Sequence, residues 1–141
     1  MNYLADVNVW TALALAGHAH HSAAGQWLRK AETDQLFFCR VTQSGFLRLL
    51  TNARIMGEHT LTPTQAWGVY DTSYKDDHVR FAPEPPGLEA AWRAATRRSR
   101  TGPNFWMDAY LSAFAAAAGF TVVTFDRGFH EHFGVRVAVL P

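Results

Sequence analysis

Residues 104–126, NFWMDAYLSAFAAAAGFTVVTFD, hold a complete helix-to-strand unit in a single stretch of sequence. Asn104 is placed to cap a helix, which the spacing of Phe105, Ala109, Leu111, Ser112 and Ala115 carries as far as Ala118. Gly119 then supplies the residue that most readily ends a helix. Thr121 to Phe125 follows as the best strand in the chain, apolar and β-branched without alternation, as in a strand covered on both faces. Asp126 closes it. The chain opens in the same manner, with Asn2-Tyr3-Leu4-Ala5 as a short run and Asp6 at its end.

Working outward, Val7 to Leu15 has helical spacing through Val9, Leu13 and Ala16 and stops at Gly17. A second helix is expected from His21 or Ser22 to Lys30, with Ala24, Trp27 and Leu28 inward. Leu36 to Cys39 reads as a buried strand, after which Thr42 is a candidate cap for a helix carrying Phe46, Leu47, Leu49 and Leu50. Thr62-Pro63 starts another, with proline at the first helical position, running to about Tyr74. His78 to Ala82 reads as a strand and Pro83 to Gly87 as a break. Leu88 to Arg98 is an amphipathic helix, Ser99 to Pro103 a polar loop, and Val135 to Leu140 the last strand.

Short apolar strands alternating with helices imply an α/β fold: a mostly parallel central sheet with helices on both faces. Right-handed crossovers put every strand's C-terminal end on one rim, where ligands of open α/β sheets bind. Asp6 and Asp126 therefore meet on that rim despite their separation in sequence. Asp108 sits at the start of the helix that feeds the strand ending at Asp126, within reach of the same rim.

Length and composition agree with a single domain over residues 1–141. A chain of 141 residues buries roughly 68% of its unfolded surface, and 48% hydrophobic against 18% charged residues is the balance of an ordinary globule. A formal charge of +1 excludes a surface that attracts polyanions everywhere, leaving local clusters such as Arg93, Arg97, Arg98 and Arg100. Cys39 is the only cysteine, so no internal disulfide forms, and its apolar run makes it a buried, inert thiol. No signal segment opens the chain, because Asp6 and Asn8 interrupt its first apolar stretch, and no apolar run approaches the ~20 residues of a membrane span. The expected location is the cytoplasm.

Each aspartate alone has a structural explanation. Asp6 and Asp126 can cap the turns that follow them, and Asp108 can favour the positive end of its helix. Together they read differently. Asp108 lies in a mostly apolar segment where an unpaired charge is costly, and a shared cation removes that cost. Three carboxylates brought together without metal repel one another and raise their pKa values. Oxygen-only ligands suit a hard cation such as Mg²⁺, which in turn binds phosphate oxygens. The residues thus point to a metal-dependent phosphodiesterase.

Four motifs carry a family resemblance. Leu4-Ala5-Asp6-Val7-Asn8-Val9-Trp10, Arg40 through Arg48, Met107 through Ala115 and Val122 through Phe129 occur in an order and spacing similar to those of a PIN domain. More closely, the chain resembles the VapC-type toxins of bacterial type II toxin–antitoxin systems, over nearly its whole length. The resemblance implies a PIN-like three-layer α/β/α sandwich and a Mg²⁺-dependent endoribonuclease, with Mn²⁺ as the alternative ion. It implies Asp6, Asp108 and Asp126 as catalytic metal ligands, Asp126 second and through water. It also implies RNA such as tRNA or a ribosomal loop as substrate, a cognate VapB-type antitoxin in the cleft, and a homodimer.

One departure stands out. Where many PIN domains carry a glutamate in the third-helix motif, this chain offers Gln43 or Gly45, so a second metal position is weakened. Asn8 either holds Asp6 in place or caps its own helix, and Thr124 either orients a water or carboxylate or simply packs as a strand residue. Arg48 and Arg127, with Arg97, Arg98 and Arg100, are either phosphate contacts or ordinary surface arginines. His18, His20 and His21 read as a polar loop, and His130 and His132 as a surface loop. The five tryptophans fall mostly at core positions, with base stacking as the other use for Trp106. Two other functions fit parts of the pattern: an RNA-binding protein with weak or no catalysis, and a phosphohydrolase acting on another nucleic acid such as flap-like DNA.

Overall fold

Five parallel strands pair in the order β3-β2-β1-β4-β5, with β1 at Asn2–Ala5, β2 at Gln35–Phe38, β3 at Val79–Phe81, β4 at Thr121–Thr124 and β5 at Val137–Val139. This is a computed structural model, which describes residues 1–97, 101–129 and 135–141. The helices are α1 at Val7–Ala14, α2 at His21–Lys30, α3 at Arg40–Leu50, α4 at Ala53–Met56, α5 at Pro63–Ser73, α6 at Leu88–Ala95 and α7 at Phe105–Ala118, with a 3₁₀ turn at Gly57–His59. Among the described residues the sheet is wholly parallel.

Neighbouring side chains on a strand face opposite layers, and the core divides accordingly. Ala5, Leu36, Phe38 and Val123 join Val9, Trp10, Phe46 and Tyr70 on the face covered by α1, α2, α3 and α5. Leu4 and Val122 join Leu88, Leu111 and Phe114 beneath α6 and α7 on the other. Helix α7 is buried continuously from Ala109 to Ala115 because the sheet and α6 enclose it together. Gly119 ends it at φ 73°, a left-handed conformation that glycine adopts without a Cβ penalty.

The order of strands places a switch point between β1 and β4. From β1 the chain moves outward to β2 and β3, then returns across the sheet through α6 and α7 to β4 on the other side. The crevice outside β1 and β4 is where such sheets bind ligands. Asp6 directly follows β1, and Asp126 follows β4 by two residues.

The boundaries differ from expectation where local signals competed. Helix α3 begins at Arg40, with Cys39 in the cap position and Thr42 inside the first turn, its hydroxyl accepting the Cys39 N–H at 3.0 Å. Helix α4 and the 3₁₀ turn had no sequence signal beyond Asn52, whose side chain caps α4 through the Arg54 N–H. Strand β3 and helix α6 are shorter than their apolar patterns, and Phe125 lies past the end of β4. Trp10 is a core residue at 2% exposure, but Trp67 and Trp106 are 49% and 60% exposed, so they are not core residues. The suggestions for Arg98, Arg100, His130 and His132 lie outside the described residues.

Candidate active site

Asp6 is fixed from three sides. Its backbone N–H donates to the Val123 carbonyl at 3.0 Å, continuing the β1–β4 ladder one residue past the strand. Its Oδ1 accepts the Val7 N–H at 2.7 Å, so it does cap α1. Its Oδ2 accepts the Thr124 hydroxyl at 3.0 Å. Capping and presentation to the cleft are thus the work of one side chain, one oxygen serving the helix and the other facing Thr124.

Thr124 is fully buried, and its hydroxyl is used to capacity. Besides donating to Asp6, it accepts from Asn8 Nδ2 at 3.1 Å and from the Asp126 N–H at 3.0 Å. Asn8 does not cap α1. Its Oδ1 accepts the Phe125 N–H at 3.3 Å, while Nδ2 also lies 3.5 Å from Asp6 Oδ2. Asn8 and Thr124 therefore stitch the start of α1 to the end of β4. Asp126 is exposed, with Oδ1 accepting the Gly128 N–H at 2.9 Å.

The three aspartates line one cleft of about 460 Å³, together with Asn8, Arg48, Asn104 and Met107. Burial, followed by the charges of Asp6 and then Asp126, pushes the Asp108 carboxyl up to about 7. Burial also raises Asp6, against the opposing pull of its bonds from Thr124 and Val7. Mutual repulsion of this kind is what a bound cation relieves. The donor set, carboxylate oxygens with a neutral amide beside them, fits Mg²⁺ or Mn²⁺. Among the described residues, no group of three or more His, Cys, Asp or Glu is drawn close enough together to hold an ion as placed. The aspartates share a cleft and feel one another's charge without forming a closed cage.

The remaining expected residues divide. Arg48 lines the cleft from α3. Arg127 is exposed and outside that lining. Gln43 is buried and also outside it, its Oε1 accepting Arg40 Nη1 at 2.6 Å. Of the two positions standing in for the family's glutamate, Gly45 is the one that lines the cleft, and a Cβ there would come within 2.9 Å of Val7 Cγ2. α3 and α1 thus approach too closely at this point for a side chain. Ile55 also lines the cleft, from the unpredicted α4; only its exposed apolar character at 60% marks it. A larger groove of about 790 Å³ between α1, α2 and α5 includes none of the three aspartates.

The PIN domain pattern matches residues 3–133, nearly the full length, and the chain belongs to the PIN-domain family. Within that family it is 44% identical over 142 aligned residues to Ribonuclease VapC41 of Mycobacterium tuberculosis, covering 97% of each chain. Solved structures share the fold. VapC20 of Mycobacterium tuberculosis, a sarcin-ricin loop cleaving toxin, superposes with a TM-score of 0.70 at 23% identity over 99% of both chains. VapBC2 of Rickettsia felis, bound to a DNA fragment from its promoter, gives 0.74 at 11% identity over the full length of both.

Proposed function

We propose that this protein is a metal-dependent endoribonuclease toxin of a type II toxin–antitoxin pair, cleaving cellular RNA such as tRNA or rRNA in the cytoplasm until a VapB-type antitoxin covers the cleft. The observation that carries the reading is the convergence of Asp6, Asp108 and Asp126 on one cleft at the β1/β4 switch point, with Asp108 pushed up to about 7 by burial and then by the charges of the other two. Similarity to Ribonuclease VapC41 supports RNA as the substrate class.

Asp6 and Asp108 would hold a divalent ion, with Asp126 beside them. Such an ion supplies polarisation of a phosphoryl oxygen and a lowered pKa for attacking water. The chain's own residues do the positioning. Thr124 and Asn8 orient the Asp6 carboxylate, and Arg48 on the cleft wall offers a bidentate contact to a phosphate. Hydrolysis adds water across the P–O bond and needs no covalent nucleophile from the protein. A homodimer is part of this reading.

The test is cleavage of total cellular RNA by wild type, Asp6→Asn and Arg48→Ala, each with added Mg²⁺ and with EDTA. Cleavage that needs divalent ion, is abolished by Asp6→Asn and weakened by Arg48→Ala supports the assignment. Cleavage by Asp6→Asn at the wild-type rate overturns it. The open spacing of the carboxylates and the absence of an acid at Gln43 favour a second reading, RNA binding with little catalysis. That reading predicts RNA retention by wild type with no divalent-dependent products.

A further inference from the structure

Three aspartates and Arg48 line the cleft, so contacts on its flanks would add to the hold on a polyanion. One flank is unusual. Trp106 is 60% exposed in the first turn of α7, yet its ring is braced edge-on by Trp92 of α6 at 6.0 Å and 89°. Trp92 is itself held edge-on by Tyr110 at 5.2 Å and 85°. Trp106 is therefore a propped, outward-facing indole rather than a mobile one. The same end of α7 supplies Asn104, Met107 and Asp108 to the cleft. Residues two apart on a helix are turned by ~200°, which puts the indole and the Asp108 carboxylate on the order of 10 Å apart across the helix start.

Between them lies the N-terminus of α7. Asn104 occupies its cap position without a side-chain hydrogen bond to the helix, whose first turn carries the Asp108 carboxylate and whose first N–H, that of Phe105, donates to the Gly102 carbonyl at 3.2 Å. Arg97, exposed two residues beyond α6, stands at the same end of the α6–α7 hairpin. An aromatic face beside the cleft and a cation at the same end of the helix pair suit an unpaired base and a backbone phosphate of a single strand.

We propose that Trp106 is a stacking platform for an unpaired RNA base next to the phosphate in the acidic cleft, a positioning and specificity residue for single-stranded substrate. The inference rests on the ribonuclease reading for its biological meaning, but its test does not need cleavage. In an Asp108→Asn background, binding of a fluorescein-labelled single-stranded 12-mer RNA is followed by anisotropy, for Trp106, Trp106→Phe and Trp106→Ala. Loss of one base stack is expected to weaken binding about tenfold for Trp106→Ala, while Trp106→Phe retains most affinity. The same 12-mer held in a perfect duplex should show no dependence on residue 106.

In the catalytically intact protein, Trp106→Ala should raise KM for the 12-mer with kcat little changed. Affinity for the single strand within twofold of the parent in Trp106→Ala would overturn the proposal. So would an equal loss on duplex, or a change of oligomeric state in light scattering, since the ring would then belong to a protein contact. If the ribonuclease reading fails instead, divalent-dependent cleavage is absent while the anisotropy difference between the residue-106 variants persists.

Discussion

Replacing Asp108 by Asn should make the metal-free protein more stable while removing its activity. In the fold, Asp108 is raised from 3.8 to about 7, first by burial and then by the charges of Asp6 and Asp126. The folded state thus binds a proton that the unfolded chain releases, and stability falls as pH rises through that window. The cost is complete above about pH 7 and vanishes below about pH 4. Full conversion of the shift would amount to about 4 kcal/mol, and water in the open cleft screens it to about 1–2 kcal/mol. For a chain of this length that is a rise of roughly 3–8 °C in Tm. The assay is thermal unfolding in EDTA at pH 4.5, 6 and 8. Asp108→Asn should gain most at pH 8 and least at pH 4.5. Adding Mg²⁺ should then raise the wild-type Tm and leave the variant nearly unmoved, reversing the order. A variant that melts at or below wild type at pH 8, or gains equally at all three pH values, would refute the electrostatic reasoning.

Thr124→Val keeps the shape of a fully buried residue but removes the hydroxyl shared by Asp6, Asn8 and Asp126. It should cost about 1–3 kcal/mol in urea unfolding and raise the Asp6 pKa further, visible in carboxyl NMR titration. An unchanged Asp6 titration would show that the bond does not tune it. Gly45→Ala should destabilise by about 1 kcal/mol, because the 2.9 Å approach to Val7 Cγ2 outweighs the helix preference for alanine. In a Val7→Ala background the same substitution should become stabilising by roughly 0.5–1 kcal/mol, and equal losses in both backgrounds would count against close helix contact. His78, raised chiefly by its bond to Asp76 and then by the Glu32 carbonyl, gives stability that is full below its ordinary 6.5 and lost as pH rises through its folded pKa. His78→Ala should therefore lower Tm at pH 5.5 more than at pH 9, and a pH-independent loss would assign the histidine to packing alone.

Much of the candidate site is legible in the sequence. Asp6, Asp108 and Asp126 are marked by what surrounds them: a strand run, an apolar helix start, another strand run. Parallel crossovers then force the two strand ends together. Thr124 was ambiguous because a β-branched residue suits a strand whatever its hydroxyl does, and only the neighbour across the sheet resolves it. Asn8 is open between holding Asp6 and capping α1 for a related reason. Local sequence cannot tell which of two nearby side chains takes the first free amide, and Asp6 does. Trp106 shares a helical pattern with buried residues, and nothing local marks it as 60% exposed.

What the sequence determined by itself is the alternation of strands and helices, and hence the rim on which the aspartates gather, because periodicity and chain handedness act locally and leave few topologies. What only the tertiary structure decided is everything that depends on distances between elements. It left the three carboxylates in one cleft without a closed cage, turned Gln43 toward Arg40, and pressed α3 against α1 at Gly45. Those distances come from the packing of side chains far apart in sequence, a property that no stretch of the chain carries alone.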